Sequence, residues 1–117
     1  MKIAEYESDN AENCDIGVLS YGCTSRAAYE AVERAREEGL AVGHIRLKTM
    51  WPFPHWAVRT MAESAKTIIV PEMNLGQALY EVQRAAEGRA SIAALNKIGG
   101  DEMITPEEIL AKIAEVS

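Results

Sequence analysis

The residues able to do chemistry gather first around Gly22-Cys23-Thr24-Ser25-Arg26. Gly22 permits a turn that a Cβ would forbid, and Thr24 or Ser25 could cap a following helix by accepting from a first-turn N–H. The unpaired N–H groups and dipole of such a helix start favour an anion. The spacing, however, is neither that of a Walker A loop nor that of a dinucleotide fingerprint. The alternative is a capped helix start packed into the fold. Cys23 could have a lowered pKa beside a helix N-terminus, but no second cysteine lies at redox spacing, and a catalytic role is not expected. Ser20 has no nucleophile-elbow context, and His44 and His55 complete no triad. As a zinc pair the two histidines would need ligands that the sequence does not mark, so satisfied or solvated imidazoles are expected.

Two further groups stand out. His44, Arg46 and Lys48 alternate, so a strand would place them on one face with Ile45 and Leu47 on the other. In a chain of net charge −6, that basic stripe would meet another protein surface, plain solvent or a bound anion. Trp51, Phe53 and Trp56 could anchor an interface, where large rings are over-represented, or fold back over the domain's own core.

Composition limits what could hold these groups. The 117 residues make one domain, 48% hydrophobic and 26% charged, an ordinary globular balance. An excess of acids argues against general binding to nucleic acid phosphates, which relies on Lys and Arg. No apolar run approaches the roughly 20 residues needed to span a bilayer. The start, Met1-Lys2-Ile3-Ala4-Glu5, carries an acid where a signal peptide would be apolar, so a cytoplasmic location is expected. Cys14 and Cys23 are too few to hold an iron–sulfur cluster and lack metal-ligand spacing. Reduced thiols are expected.

A recurring unit positions the candidates: strand, polar or glycine-bearing turn, amphipathic helix. Residues 2–6 could form an edge strand whose charges discourage further pairing, and residues 8–13 read as a turn; a disordered leader is the alternative. Residues 16–21 form an apolar run, as in a strand buried on both faces. The helix at 24–38 carries Ala28, Ala31, Val32 and Ala35 on one stripe, and Gly39 ends it. A strand at 41–48 leads to Trp51-Pro52-Phe53-Pro54, stiffened because residues before proline stay extended. Pro54 suits the first turn of a helix with Val58, Met61, Ala62 and Ala65 inward. Residues 67–70 form a short β-branched strand, after which Asn74 could cap a helix with Leu75, Leu79, Val82 and Ala86 inside, ended by Gly88. The last strand is 91–95, with a turn at Gly99-Gly100. Thr105-Pro106-Glu107-Glu108 is a capping box with proline at the first helical position, flanked by Ile104 and Ile109 as a hydrophobic staple.

Four segments together closely resemble one family: Ser20-Tyr21-Gly22-Cys23-Thr24-Ser25-Arg26, Arg46-Leu47-Lys48-Thr49-Met50-Trp51-Pro52-Phe53-Pro54, Val70-Pro71-Glu72-Met73-Asn74-Leu75-Gly76-Gln77 and Asn96-Lys97-Ile98-Gly99-Gly100. They look like the C-terminal domain of the alpha subunit of 2-oxoacid:ferredoxin oxidoreductases, with the 2-oxoglutarate type most similar. The likeness runs in order from about residue 15 to 113. It implies a transketolase C-terminal-like fold: an α/β/α three-layer domain on a five-stranded, mostly parallel sheet with an antiparallel N-terminal edge strand. On this reading residues 1–14 are edge strand and turn and residues 15–117 the α/β domain, one domain in all.

The resemblance further implies a parent enzyme that decarboxylates a 2-oxoacid on thiamine diphosphate with Mg. That enzyme passes electrons through iron–sulfur clusters to ferredoxin and transfers the acyl group to coenzyme A. The pyrimidine-contacting, diphosphate-binding and cluster-binding parts of such an enzyme lie elsewhere, so this chain is expected to bind no cofactor and no metal, to supply no catalytic residue and to be inactive alone. It would instead orient the rest of the alpha subunit and its partner subunits, through an edge carrying Trp51, Phe53, Glu72, Asn74 and Gln77. No nucleic acid or membrane partner is expected. The alternative is a stand-alone module binding an anion or nucleotide at Gly22, Cys23, Thr24, Ser25 and Arg26.

Overall fold

Apolar runs become strands, and the amphipathic stretches between them become helices, in strict alternation from the second strand on. A computed structural model describes residues 5–22, 24–48, 53–72, 77–96 and 104–117. In chain order the elements are β1 (Tyr6–Asp9), β2 (Ile16–Tyr21), α1 (Thr24–Glu37), β3 (Val42–Leu47), α2 (His55–Ser64), β4 (Thr67–Glu72), α3 (Gln77–Ala86), β5 (Ser91–Asn96) and α4 (Pro106–Val116). The sheet runs β1-β3-β2-β4-β5. Strands β2 to β5 are parallel, and β1 lies antiparallel on the β3 edge.

Alternation along the strands builds two cores. Leu19, Ile45, Leu47, Ile68 and Val70 pack with Val58, Met61 and Ala62 of α2 and Val82 and Ala86 of α3. Ile16, Val18, Val42 and Ile69 point the other way, onto Ala28, Ala31, Val32 and Ala35 of α1 and Ile109 and Ile113 of α4. The result is the expected three layers, with all six residues of β2 but Tyr21 buried. Thr105 accepts from the Glu108 N–H while the Glu108 side chain receives the Thr105 N–H, closing the capping box with Pro106 inside the first turn. Ile104 and Ile109 are both buried beside it.

Three local readings need correction. The edge strand spans Tyr6–Asp9, so Ser8 and Asp9, read as turn, are strand. Glu7 lies opposite Arg46 and pairs with it at 3.2 Å, while Asp9 pairs with Arg36 of α1 at 2.8 Å, and these ion pairs offset the poor strand propensity of Ser and Asp. The turn begins at Asn10, at φ 57°. Pro54 precedes α2 rather than entering its first turn: it stands at the N-cap with φ −81° and ψ 73°, and its carbonyl accepts from the Ala57 and Val58 N–H groups. Strand β4 continues through Pro71 to Glu72. It pairs with β2 only as far as Ile69 but with β5 as far as Glu72, so Pro71 lies beyond the last β2 rung, where a missing N–H breaks no ladder to that strand.

Gly43 marks a close approach. A Cβ there would stand 2.7 Å from the Asn10 carbonyl oxygen and 2.9 Å from Cys14 Sγ. The turn between β1 and β2 therefore rests directly on the backbone of β3. Ser64 fastens the same turn to α2, donating to the Cys14 carbonyl at 2.8 Å and accepting from its N–H at 2.9 Å.

Candidate functional site

The carboxyl ends of β2, β3, β4 and β5 share one edge of the sheet, because these strands are parallel. Strand order reverses between β2 and β4: the chain winds outward from β2 to β3 on one side and to β4 and β5 on the other. Pairing of β2 with β4 ends at Val18 and Ile69, so Ser20, Tyr21, Val70 and Glu72 continue past the last shared rung. In open α/β sheets a crevice at this position is where ligands are received. Glu72 ends β4 on this edge and Gln77 opens α3; Trp51 and Asn74 lie outside the described residues.

Phe53 differs from its expected place at that edge. It is only 3% exposed, within the core shared by α2 and α3, with its ring edge-on to His55 at 4.9 Å between centroids. A large ring of this kind gains more from burial than from solvent exposure, so Phe53 belongs to the core. Trp56 is exposed, with its indole N–H donating to Tyr6 Oη at 3.1 Å. His55 reaches across to Glu81 of α3 through Nε2 at 2.9 Å, and Arg84 meets the other carboxylate oxygen at 3.3 Å. Glu81 is thus a buried acid with two partners, holding α2 to α3. The histidines are satisfied, as expected, and share no site.

The basic stripe of β3 is met within the chain. Arg46 pairs with Glu7 of β1 at 3.2 Å. His44, 6% exposed, bonds Ser20 Oγ through Nε2 at 2.7 Å. Burial, with Arg36 and Arg46 nearby, lowers the His44 pKa to about 4 against the opposing pull of Asp9 and Glu7, so the ring is neutral at physiological pH. The acidic surface facing this stripe is the protein's own edge strand, in place of another protein. Sequence alone carries no signal for the Ser20–His44 bond, since it depends on the register that sets Ser20 beside Arg46 and Val18 beside His44.

A cleft of about 730 Å³ opens between the start of α1 and the β3–β1 edge, lined by Glu7, Asp9, Ser25, Arg26, Tyr29 and His44 among others. Gly22 also lines it, at φ 65°, a left-handed conformation natural to glycine. Neither expected hydroxyl caps α1. Thr24 Oγ1 turns back to the Tyr21 carbonyl at 2.8 Å, and Ser25 Oγ has no hydrogen-bond partner. The reason is position: α1 begins at Thr24, so both residues already lie inside the first turn, past the N-cap. Cys23 lies outside the described residues. Cys14 is buried, and desolvation raises its pKa, so it is an inert thiol.

Comparison with known proteins identifies this architecture. A family model described as pyruvate:ferredoxin oxidoreductase core domain II matches residues 14–109. The 2-oxoglutarate synthase subunit KorA of Methanothermobacter marburgensis is 48% identical over 112 residues, 96% of this chain and 30% of that subunit. The 2-oxoglutarate:ferredoxin oxidoreductase of Magnetococcus marinus, solved with 2-oxoglutarate, coenzyme A and succinyl-CoA, superposes with a TM-score of 0.71 at 28% identity, over 98% of this chain and 20% of that one. A split-gene transketolase shares the fold, with a TM-score of 0.73 at 17% identity over 89% of this chain and 38% of that one.

The chain belongs to the pyruvate:ferredoxin oxidoreductase core domain II family, and its architecture is that of a transketolase C-terminal-like domain. It spans about 30% of the length of the curated subunit it matches best among those named.

Proposed function

We propose that this chain is a non-catalytic domain of the alpha subunit of a thiamine-diphosphate-dependent 2-oxoacid:ferredoxin oxidoreductase, which packs against and orients the parts that carry the chemistry. The observation that supports this reading most is the match to KorA at 48% identity along nearly the whole chain. In the proposed parent reaction a 2-oxoacid, of which 2-oxoglutarate is the nearest candidate, is oxidatively decarboxylated to its acyl-CoA while ferredoxin is reduced. Partners are then the remaining alpha-subunit domains and the other subunits, with ferredoxin reached through the complex, in the cytoplasm. Among the described residues no helix is long and apolar enough to cross a membrane.

Among the described residues no group of three or more His, Cys, Asp or Glu could hold a metal ion. On the family resemblance, we assign Mg with thiamine diphosphate, the iron–sulfur clusters and coenzyme A to other parts of the complex. This chain alone is expected to be inactive. Its contribution is positional: reacting groups must sit within a fraction of an ångström of their working geometry, and a packing domain can enforce that.

The contact edge is the carboxyl edge of the sheet, with Trp51, Glu72, Asn74 and Gln77 as the contacting side chains and Phe53 buried in the core. Co-expression of Trp51→Ala with the remaining subunits should yield less assembled complex on gel filtration, and lower 2-oxoacid-dependent ferredoxin reduction, than wild type. Phe53→Ala is unsuitable as the sole variant because it also hollows the core. Wild-type assembly and activity in both Trp51→Ala and Gln77→Ala would rule out this edge.

A further inference from the structure

We propose that the cleft between α1 and the β3–β1 edge is a binding site for a phosphate group carried on a small molecule, with Ser25, Arg26 and the α1 N-terminus as its seat. The cleft opens at the same carboxyl edge of the sheet, just past β2, but ligand binding by the chain is measured independently of the assembly reading. Four observations converge on it.

Ser25 lines the cleft, is 3% exposed, and its buried hydroxyl has no hydrogen-bond partner. A buried hydroxyl left unpaired costs stability, and a ligand oxygen would satisfy it. Arg26 lines the same cleft, is exposed and forms no ion pair among the described residues. The first turn of α1 contains no acid, whereas its last turn carries Arg34 and Arg36. The dipole of this 14-residue helix is therefore complemented at its C-terminus and left open toward the cleft at its N-terminus.

The acids of the far wall do not oppose this. Glu7 is held by Arg46 at 3.2 Å and Asp9 by Arg36 at 2.8 Å, so Arg26 is the cation left for a ligand. A hydroxyl and a guanidinium beside the positive end of a helix suit the several oxygens of a phosphate better than the two of a carboxylate. At about 730 Å³ the cleft also exceeds a bare ion. Tyr29, 62% exposed on the same wall, offers a ring face to the remainder of the molecule. A nucleotide or another aromatic phosphate fits that combination.

The test is calorimetric titration of the 117-residue chain with ADP, inorganic phosphate, adenosine and succinate, with amide shifts followed from Gly22 to Tyr29. ADP should bind saturably, inorganic phosphate should compete with it, and adenosine and succinate should not. Arg26→Met should weaken ADP about tenfold or more, the usual loss for a charge-assisted bond. Ser25→Ala should weaken it severalfold while leaving the melting temperature equal to wild type or higher, because the hydroxyl it removes is unpaired in the free protein. Arg59→Gln, on α2, serves as the control and should bind as wild type. Absence of saturable ADP binding would overturn the proposal. So would adenosine or succinate binding as well as ADP, or indifference to both Ser25→Ala and Arg26→Met.

Discussion

His44 shows how one side chain's surroundings set a property of the whole protein. Its pKa falls from 6.5 to about 4 because the ring is buried, with Arg36 and Arg46 adding to that effect and Asp9 and Glu7 only partly offsetting it. The unfolded chain therefore takes up a proton near pH 6.5 that the folded chain refuses until near pH 4. Stability from this residue is complete above the higher value and is lost as pH falls toward the lower one. The window corresponds to roughly 3 kcal/mol at most. Urea midpoints measured across that range should decline with acid in wild type, and the His44→Gln slope should be visibly flatter. An identical slope in both proteins would remove His44 as the cause. The alternation of His44, Arg46 and Lys48 was legible in the sequence, but the identity of the acid facing them was not. Glu7 and Asp9 come opposite the stripe only through an antiparallel register, which no short-range pattern encodes.

Elements were most legible where local and tertiary preferences agree. Ile16–Tyr21 was bounded correctly because a run buried on both faces needs no partner to be recognised, and Thr105-Pro106-Glu107-Glu108 carries its capping chemistry within four residues. Legibility failed where a neighbouring strand decides the outcome: β1 is held by cross-strand charge, and β4 gains Pro71 and Glu72 from pairing with β5 alone. The β2–β3 pair holds a further constraint of this kind, since Gly17 lies opposite Gly43. A Cβ at Gly43 would meet the Asn10 backbone at 2.7 Å, and a backbone carbonyl fixed in a turn has little room to move. At Gly17 the obstacle is the Met61 thioether, a flexible chain that can shift rotamer. Gly43→Ala should therefore cost about 1–3 kcal/mol, the usual penalty for overpacking, and Gly17→Ala less. Chemical denaturation of the two variants measures this directly, and an equal or reversed order would contradict the distinction.

At the scale of the whole molecule, the two cores leave the sheet unevenly secured. β2 has a strand on each side and helices over both faces, whereas β1 has only β3 beside it and is mostly exposed. Layering and helix placement could be read from sequence, because each helix carries one apolar stripe. The seat in the cleft could be read only in outline, since Ser25 was a candidate by type but its lack of a partner depends on the packing around it. Arg36 is one residue that ties the weak edge to the interior: it donates to Asp9 of β1 at 2.8 Å and, through Nη2 and Nε, to the Val42 carbonyl at 2.8 and 3.0 Å. Regions with little buried contact open below the global unfolding energy. Amides of β1 bonded to β3 should exchange with deuterium well before those of Val18 and Leu19 in β2. Arg36→Met should speed β1 further while leaving β5, on the opposite edge, unchanged. If β1 exchanged as slowly as β2, or if the substitution accelerated β5 to the same degree, the edge would be opening with the whole domain and Arg36 would not be its local clamp.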